Sequence, residues 1–255
     1  MPQIFGKVSR ALPIINSDNT QVQQRVTGYG DLVTTQLGDN HSSLADEGSY
    51  FKATNASGTF GAGITAASVV TYTAASPVFM LTNASSAATG KRVFLDYVRL
   101  FVASATGTTA TNQSIQCAVV LDDNTVGSGR FVSGGSVGNV FNVNSASSIT
   151  TISSFLIGNN LTCTTAGNPR QIVRAVFKTQ SAVTSPLVNG DVYAMDFGEH
   201  SAGSGVLTGS SAGAYAFSVG PAVIGSGHSL LFYLWYPNVT NIAPAFEYEI
   251  GWWER

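Results

Sequence analysis

The segment that most constrains the fold is SLLFYLWYPNVTNIAPAFEYEIGWWER, residues 229–255. Leu230–Tyr236 is an unbroken apolar run of strand length, which predicts a β-strand with both faces covered. Between Phe246 and Trp252 apolar residues alternate with two glutamates, which predicts a strand with one buried face and one outer face. Neighbouring residues of a strand point to opposite faces, so Trp252 and Trp253 are predicted to face opposite ways. We place this pair of strands at the centre of a β-sandwich.

The preceding sequence repeats one pattern, in which short strand-like segments alternate with long loops of small residues. Regular structure is predicted to begin at 48–55, and strands are predicted at 77–81, 91–103, 114–121, 129–133, 149–157, 170–178, 191–197 and 214–219. After residue 47, no segment longer than ten residues has a convincing helical period of apolar residues. These features predict an all-β protein, an antiparallel β-sandwich of jelly-roll type.

Residues 1–47 differ from the remainder, because they are polar and have only scattered apolar residues. We interpret them as an extended N-terminal arm, followed by one sandwich domain at 48–255. The arm either gains order by packing on another molecule or lies along its own domain, and the sequence leaves both alternatives open.

Two further expectations concern single residues. After Lys91 and Arg92 at its start, Asp96 and Arg99 are the only charged residues of the segment 91–103, and their odd spacing predicts that they point to opposite faces of the strand. Each therefore needs a partner elsewhere, in a structural pair or an interface contact. Cys117 lies on an apolar face and is predicted to be a core residue. Cys163 lies in a polar stretch, where an exposed position stays open, and the sequence does not decide whether the two cysteines pair.

Composition argues against several classes of partner. Charged residues make up 10 % of the chain and the net charge is −2, whereas ordinary soluble domains carry roughly 25 % charged residues. No basic run is available to neutralise phosphates, so we predict no nucleic-acid partner. No apolar run reaches the ~18 residues of a membrane span, and residues 1–20 lack the apolar core of a signal peptide. A surface with so few charged residues suits extensive contact with other subunits or an extracellular environment.

Two motifs resemble functional sites, but the residues around each motif do not support the function that it suggests. Gly209–Gly213 reads GSSAG and matches the nucleophile elbow of esterases, but no acid lies between Ser211 and His228 and no helix is predicted to follow. Asp122–Gly127 reads DDNTVG and resembles the start of a calcium loop, but Ser133 stands where a bidentate glutamate is needed. A polar hairpin turn explains the second motif, and a loosely bound calcium ion at a subunit contact stays open.

Other titratable residues do not form a mutually supporting set. His41, His200 and His228 are far apart in sequence, and Glu199–His200 reads as a loop. Glu247 and Glu249 are predicted to lie about 7 Å apart on one strand face. That spacing is known from paired carboxylates of glycosidases, but it also marks an ordinary outer face. We therefore predict no enzyme and assign no catalytic, cofactor-binding or metal-binding residue.

Several segments, in order along the chain, resemble a family of virion structural proteins of tailed phages, found among the head genes of podoviruses. They are GYGD (28–31), LADEGSYFKATN (44–55), GKRVFLDYVRL (90–100), SGRFVSGGSVGNVFNVNS (128–145), PAVIGSGHSLLFYLWYPN (221–238) and FEYEIGWWER (246–255). The resemblance implies a non-enzymatic β-sandwich protein, without cofactor, that coats or cements the capsid exterior after synthesis in the host cytoplasm. It implies two partners, the major capsid protein and further copies of this chain, as a homotrimer at threefold positions of the shell.

An alternative is a tail or head-fibre adhesin that binds a glycan of the host surface. That function needs an exposed groove lined by aromatic side chains. The candidates for this lining are Tyr233, Trp235 and Tyr236. For the decoration protein, the arm at 1–47 is the predicted contact with the shell.

Overall fold

The computed structural model describes residues 45–55, 63–86, 90–104, 113–123, 131–163, 168–180, 189–198, 214–236 and 244–255. Residues 1–44, and with them nearly all of the predicted arm, lie outside these ranges. No helix within the ranges is long and apolar enough to span a membrane. The strands are β1 (Tyr50–Thr54), β2 (Ile64–Thr65), β3 (Ala67–Ser68), β4 (Phe79–Asn83), β5 (Val93–Ser104), β6 (Gln113–Asp122), β7 (Phe131–Ser133), β8 (Ser136–Val137), β9 (Val140–Asn142), β10 (Ser153–Ile157), β11 (Thr162–Cys163), β12 (Pro169–Gln180), β13 (Val192–Phe197), β14 (Ala214–Val219), β15 (Ala222–Ile224), β16 (Ser229–Tyr236) and β17 (Ala245–Glu254).

The strands form two large sheets and a small one. Sheet I has the order β14-β13-β5-β17-β1-β9, with β15 added beside β5 and β2 beside β17. Sheet II has the order β12-β6-β16-β4-β10-β8, with β3 added beside β16, and β7 pairs with β11 separately. Pairing is antiparallel except between β13 and β14 and between β16 and β3. The predicted all-β antiparallel sandwich is confirmed.

Eight of these strands pair in a nested order. β1 pairs with β17, β4 with β16, β5 with β13 and β6 with β12, so the first of the eight pairs with the last and the fourth with the fifth. These strand pairs are also joined to one another within each sheet, because β5 lies beside β17 and β6 lies beside β16. Nested pairing distributed over two sheets is the jelly-roll arrangement.

The main core lies between the two sheets and consists of the inward side chains of both. Phe155 of sheet II packs on Tyr248 and Trp252 of sheet I, with ring centroids 5.9 and 6.2 Å apart. Trp252 is fully buried, whereas Trp253 is partly exposed on the other face of sheet I. The two tryptophans therefore face opposite ways, as predicted from alternation.

A second, smaller core covers the outer face of sheet II. Tyr233 and Trp235 of β16 lie in it, under a segment that we call the strap, residues 69–76. Tyr72 of the strap packs on both rings, at centroid distances of 4.4 and 5.1 Å, and Tyr233 Oη donates a hydrogen bond to Ala74 O. Every residue of β16 is buried, which confirms that both of its faces are covered.

A buried carboxylate joins the two sheets at one end. Glu254 of β17 is 8 % exposed. Its Oε1 accepts hydrogen bonds from Thr151, Ser153 and Trp252 Nε1, and its Oε2 accepts one from the backbone N–H of Ile152. Four donors, three of them from residues 151–153 at the start of β10, compensate the cost of burying this polar group.

A β-bulge overturns the prediction for Asp96 and Arg99. In the pairing of β5 with β17, Tyr97 lies opposite Gly251 and Leu95 opposite Trp252, so Asp96 is an extra residue in β5. One extra residue shifts the alternation by one position. The inward residues are accordingly Leu95 and Val98, three apart rather than two. Asp96 and Arg99 therefore lie on the same, outer face of sheet I.

Both cysteines are buried, one in the main core and one in the second core. Cys117 is fully buried in the main core, as predicted, and Cys163 is also buried, so the exposed position that its polar neighbours left open is not observed. Cys163 lies in the second core, where its backbone N–H donates to Ala75 O of the strap. Its polar sequence neighbours do not reveal this cover, because the strap comes from a distant part of the chain. The two cysteines are not joined by a disulfide.

Candidate interaction surface

Sheet I presents an unusually aromatic outer face. We call it the aromatic face, and define it as the outward side chains of four adjacent strands: Tyr50 and Lys52 of β1, Phe94, Asp96, Tyr97 and Arg99 of β5, Phe141 of β9, and Glu249 and Trp253 of β17. The outer face of an antiparallel sheet is ordinarily polar, since water covers it. Aromatic residues and arginine are enriched where a protein surface is covered by a partner.

Trp253 is the centre of a row of three rings. It lies directly across from Tyr50 on one side and from Phe94 on the other. Its ring centroid is 6.5 Å from that of Tyr50, at an interplanar angle of 25°, and 5.9 Å from that of Phe94, at 13°. Contacts between neighbouring rings are favourable, so the row is already assembled in the isolated chain. Aromatic anchors of this kind carry much of the binding energy in protein interfaces.

A charged network lies beside the ring row. Glu249 Oε1 accepts a hydrogen bond of 2.6 Å from Tyr97 Oη and lies 2.7 Å from Lys52 Nζ and 3.7 Å from Arg99. The Arg99 guanidinium lies over the Tyr97 ring, 4.5 Å from its centroid. Asp96, the residue before Tyr97 in β5, accepts a hydrogen bond of 2.5 Å from Tyr50 Oη. The network fixes the orientation of both tyrosines.

Protonation states follow from this network. Burial raises the pKa of Tyr50 and of Tyr97 far above the usual range, and the hydrogen bonds to Asp96 and Glu249 raise them further. Both phenols are therefore protonated donors at neutral pH. Desolvation works against ionisation of Glu249, but the hydrogen bonds from Lys52 and Tyr97 and the charges of Lys52 and Arg99 outweigh it and lower its pKa.

Gly251 provides the space in which these side chains meet. It lies on the outer side of β17, and a Cβ at this position would be 2.4 Å from Tyr50 Oη and 2.6 Å from Tyr97 Cε1. Only glycine allows the two tyrosines to approach the backbone this closely. The packing of the aromatic face therefore depends on the absence of a side chain at one strand position.

Sequence reasoning found only part of this surface. It correctly placed Glu247 and Glu249 on the outer side of β17, opposite Tyr248 and Ile250. It missed the ring row, because the register that brings Tyr50, Phe94 and Trp253 together is not a local property of any strand. The available signal was β5 itself, which has apolar residues on both faces although only one face packs on the main core.

Few of the residues singled out for chemistry belong to the part of the chain that the structure describes. His41, Glu199, His200, Ser211 and the motif 209–213 lie outside the described residues, as do positions 124–130 of the calcium-like loop. Within the described part of the chain, no group of three or more His, Cys, Asp or Glu side chains is placed to hold a metal ion.

The two acids that begin the calcium-like motif are tied to the start of β12. Asp122 Oδ1 accepts a hydrogen bond from the backbone N–H of Asn168. Asp123 Oδ2 accepts one from Asn168 Nδ2 and lies 3.2 Å from Arg170. The Asn168 hydrogen bond and the Arg170 charge lower the pKa of Asp123. These contacts give both carboxylates a structural role.

His228 and the three aromatic candidates of β16 have structural positions. His228 follows a turn in which its backbone N–H donates to Gly225 O and Gly227 has a φ of 74°. Tyr233, Trp235 and Tyr236 are at most 2 % exposed. The prediction that they line an exposed groove is therefore wrong, because both faces of their strand are covered.

Comparison with known protein families, curated proteins and solved structures finds no match. The resemblance to podovirus structural proteins therefore stays a prediction, and the geometry of the aromatic face carries the functional argument.

Proposed function

We propose that this chain is a non-enzymatic structural protein of a tailed-phage virion, which decorates the capsid from outside and cements it, as a homotrimer at threefold positions. The observation that carries the proposal is the aromatic face, a surface of stacked rings with the composition of a protein interface on the outer side of a sheet. The jelly roll fits the proposal, since viral capsid domains and lectins share this architecture.

The mechanism needs no chemical step. A protein that binds only the assembled shell stabilises that state by mass action, and the gain grows with the logarithm of its concentration over its Kd. The ring row and Arg99 supply apolar area and a cation that is 45 % exposed. The low content of charged residues, 10 % of the chain, limits the number of ions that must lose water on binding.

Cryo-electron microscopy of the virion that contains this chain tests the proposed location. Density for the sandwich on the outer shell, at threefold or quasi-threefold positions, is the expected result. Density confined to the tail or the portal vertex overturns the decoration function and favours the adhesin alternative.

The role of the aromatic face has its own test, a binding assay between the purified chain and shells that lack it. Trp253→Ala is expected to weaken binding at least tenfold, because interface tryptophans are common hot spots. Val70→Ala on the strap is the matched control, since Val70 is 78 % exposed and far from the aromatic face in the fold. Equal binding by both variants, with unchanged urea unfolding, would remove the aromatic face from the shell contact.

A further inference from the structure

Arg99 is the charged residue of the aromatic face that solvent reaches most easily. It lies on β5 directly opposite Glu249 of β17. Its side chain is 45 % exposed, against 28 % for Lys52 and 20 % for Glu249. Its guanidinium carbon lies 4.5 Å from the centroid of the Tyr97 ring, and a contact of this kind is favourable. The aromatic face therefore presents a cation whose place is already set by a ring.

The guanidinium of Arg99 has hydrogen-bonding capacity that its own chain does not use. Its Nη1 lies 3.7 Å from Glu249 Oε1, which is too far for a hydrogen bond. No other acceptor bonds to the Arg99 side chain among the residues that the structure describes. A guanidinium carries five N–H donors in a planar fork, and the contact with the Tyr97 ring leaves this fork available to an acceptor.

The two acids of the aromatic face are bonded to other groups. Glu249 Oε1 accepts the hydrogen bond from Tyr97 Oη and pairs with Lys52 Nζ at 2.7 Å. Asp96 accepts the hydrogen bond from Tyr50 Oη. The face has as many acids as cations, but hydroxyl groups and a lysine bond the acids within it. The capacity that remains for a partner is that of the arginine.

A carboxylate is the group that complements a guanidinium fork. It accepts two parallel N–H bonds from arginine, and such charge-assisted pairs are among the strongest hydrogen bonds in proteins. In a protein partner this group is the side chain of an aspartate or a glutamate. The other part of the aromatic face, the ring row, takes an apolar side chain in the manner of an interface anchor.

The strand register gives the separation between these two parts of the aromatic face. Trp253 of β17 is paired with Phe94 of β5, and Glu249 of β17 is paired with Arg99. The two levels are thus four residues apart on β17. At a rise of about 3.3 Å per residue, Arg99 lies about 13 Å along the strands from the ring row. A partner that covers both presents an apolar side chain and a carboxylate at about this separation.

We propose that the aromatic face takes an acidic segment of the shell protein, with an aspartate or a glutamate on the Arg99 guanidinium and an apolar side chain on the ring row. This inference rests on the proposed function and deepens it, because it states the chemistry of the surface that the chain recognises. Arg99 gives the contact its specificity, since charge complementarity excludes partners that an apolar surface alone accepts.

Binding of the full chain to shells that lack it tests the role of Arg99. Arg99→Gln is expected to weaken binding about tenfold or more, because the carboxylate of the partner loses its cation. Its affinity is expected to fall less with added salt than that of the native chain, since salt then screens one ion pair fewer. Arg99→Lys keeps a cation beside Glu249 and is expected to recover much of the binding. Urea unfolding of each variant confirms that it is folded.

Arg174→Gln is the matched control for these measurements. Arg174 is an exposed arginine of β12, paired with Ala118 on the outer face of sheet II, so the same charge is removed on the other side of the sandwich. This variant is expected to bind shells as the native chain does. The proposal is overturned if Arg99→Gln binds as tightly as the control, if the two have the same salt dependence, or if Arg99→Lys recovers nothing.

Cryo-electron microscopy of shells decorated with the native chain identifies the group that lies on Arg99. An aspartate or a glutamate of the shell protein is the expected result, with an apolar side chain of the same protein on the ring row. A neutral residue opposite Arg99 overturns the proposal. Another copy of this chain on the aromatic face, or residues 1–44 of the chain itself, overturns it as well.

Failure of this proposal and failure of the proposed function give different results. If the native chain does not bind shells, the decoration function is refuted and its partner with it. If the native chain and Arg99→Gln bind shells equally well, the decoration function stands and only the acidic partner is refuted.

Discussion

At the scale of single residues, Gly251 is the position on which the aromatic face depends most directly. Tyr50 and Tyr97 occupy the space where its side chain would be, and each is fixed by a hydrogen bond to a carboxylate. A methyl group there would have to move two rings that neighbouring residues hold in place. Inserting a methyl group is ordinarily costly in the packed core of a protein. Here the same steric constraint applies to a strand position on the outer face of a sheet.

We predict that Gly251→Ala destabilises the protein by about 1–3 kcal/mol, the cost of inserting a methyl group into a packed site. Gly220→Ala is the control, because a Cβ at that position meets nothing within 4 Å. Urea unfolding measures both free energies. Equal stability of the two variants would show that Tyr50 and Tyr97 move aside without cost.

Glu249 makes a second residue-scale prediction, which concerns pH. Its pKa in the folded chain is lowered by the network despite desolvation, whereas the unfolded value is about 4.3. The ionised carboxylate therefore stabilises the fold above that value, and the contribution is lost as the pH falls through the lower, folded-state pKa. The stability difference between the native chain and Glu249→Gln is expected to be largest near neutral pH and to shrink in acid.

Urea unfolding at about pH 7, 5 and 3 measures this difference. Using the difference between two chains removes the contribution of the other acids, which titrate in both. A difference that stays constant from neutral to acid pH would show that the network does not favour the ionised form.

At the scale of elements, the strap explains how a strand in the centre of a sheet is buried on its second face. Tyr72 provides much of this cover, since its ring contacts both Tyr233 and Trp235. We predict that Tyr72→Ala costs about 2–4 kcal/mol, because it removes a ring that packs on two others. Tryptophan fluorescence is expected to shift to the red, as water reaches Trp235.

Val70→Ala tests whether that effect is specific to the ring. Val70 belongs to the same strap but is 78 % exposed, so the change is expected to cost less than about 0.5 kcal/mol. Similar losses in both variants would mean that the strap as a whole, and not its aromatic contact, is what stabilises the second core.

The strands were largely predictable, because alternation and apolar runs are local. β14 was predicted at 214–219 and observed there, and β6 was predicted at 114–121 and spans Gln113–Asp122. The bulge at Asp96 was not predictable, since an extra residue changes the register between two strands and leaves each sequence pattern intact. The burial of Cys163 and the ring row of Trp253 depend likewise on segments that are distant in sequence.

At the scale of the whole molecule, the arm and the sandwich make separable contributions to the proposed function. Deletion of residues 1–40 is expected to abolish binding to the shell while the sandwich stays folded, because the core is built from strands that begin at Tyr50. Thermal unfolding and a shell-binding assay measure the two properties. Unchanged binding would refute the arm as the shell contact and leave the aromatic face to supply it.

The nested pairing also sets the order of events during synthesis. Tyr50 lies opposite Trp253, and β17 is the strand between β1 and β5. At ~5–20 residues per second, the ribosome needs on the order of ten seconds or more to make the roughly 200 residues that separate the two partners. Such distant pairing folds slowly. Until residue 254 has left the ribosome, the edge of β1 and the edge of β5 that pair with β17 therefore lack their partner strand.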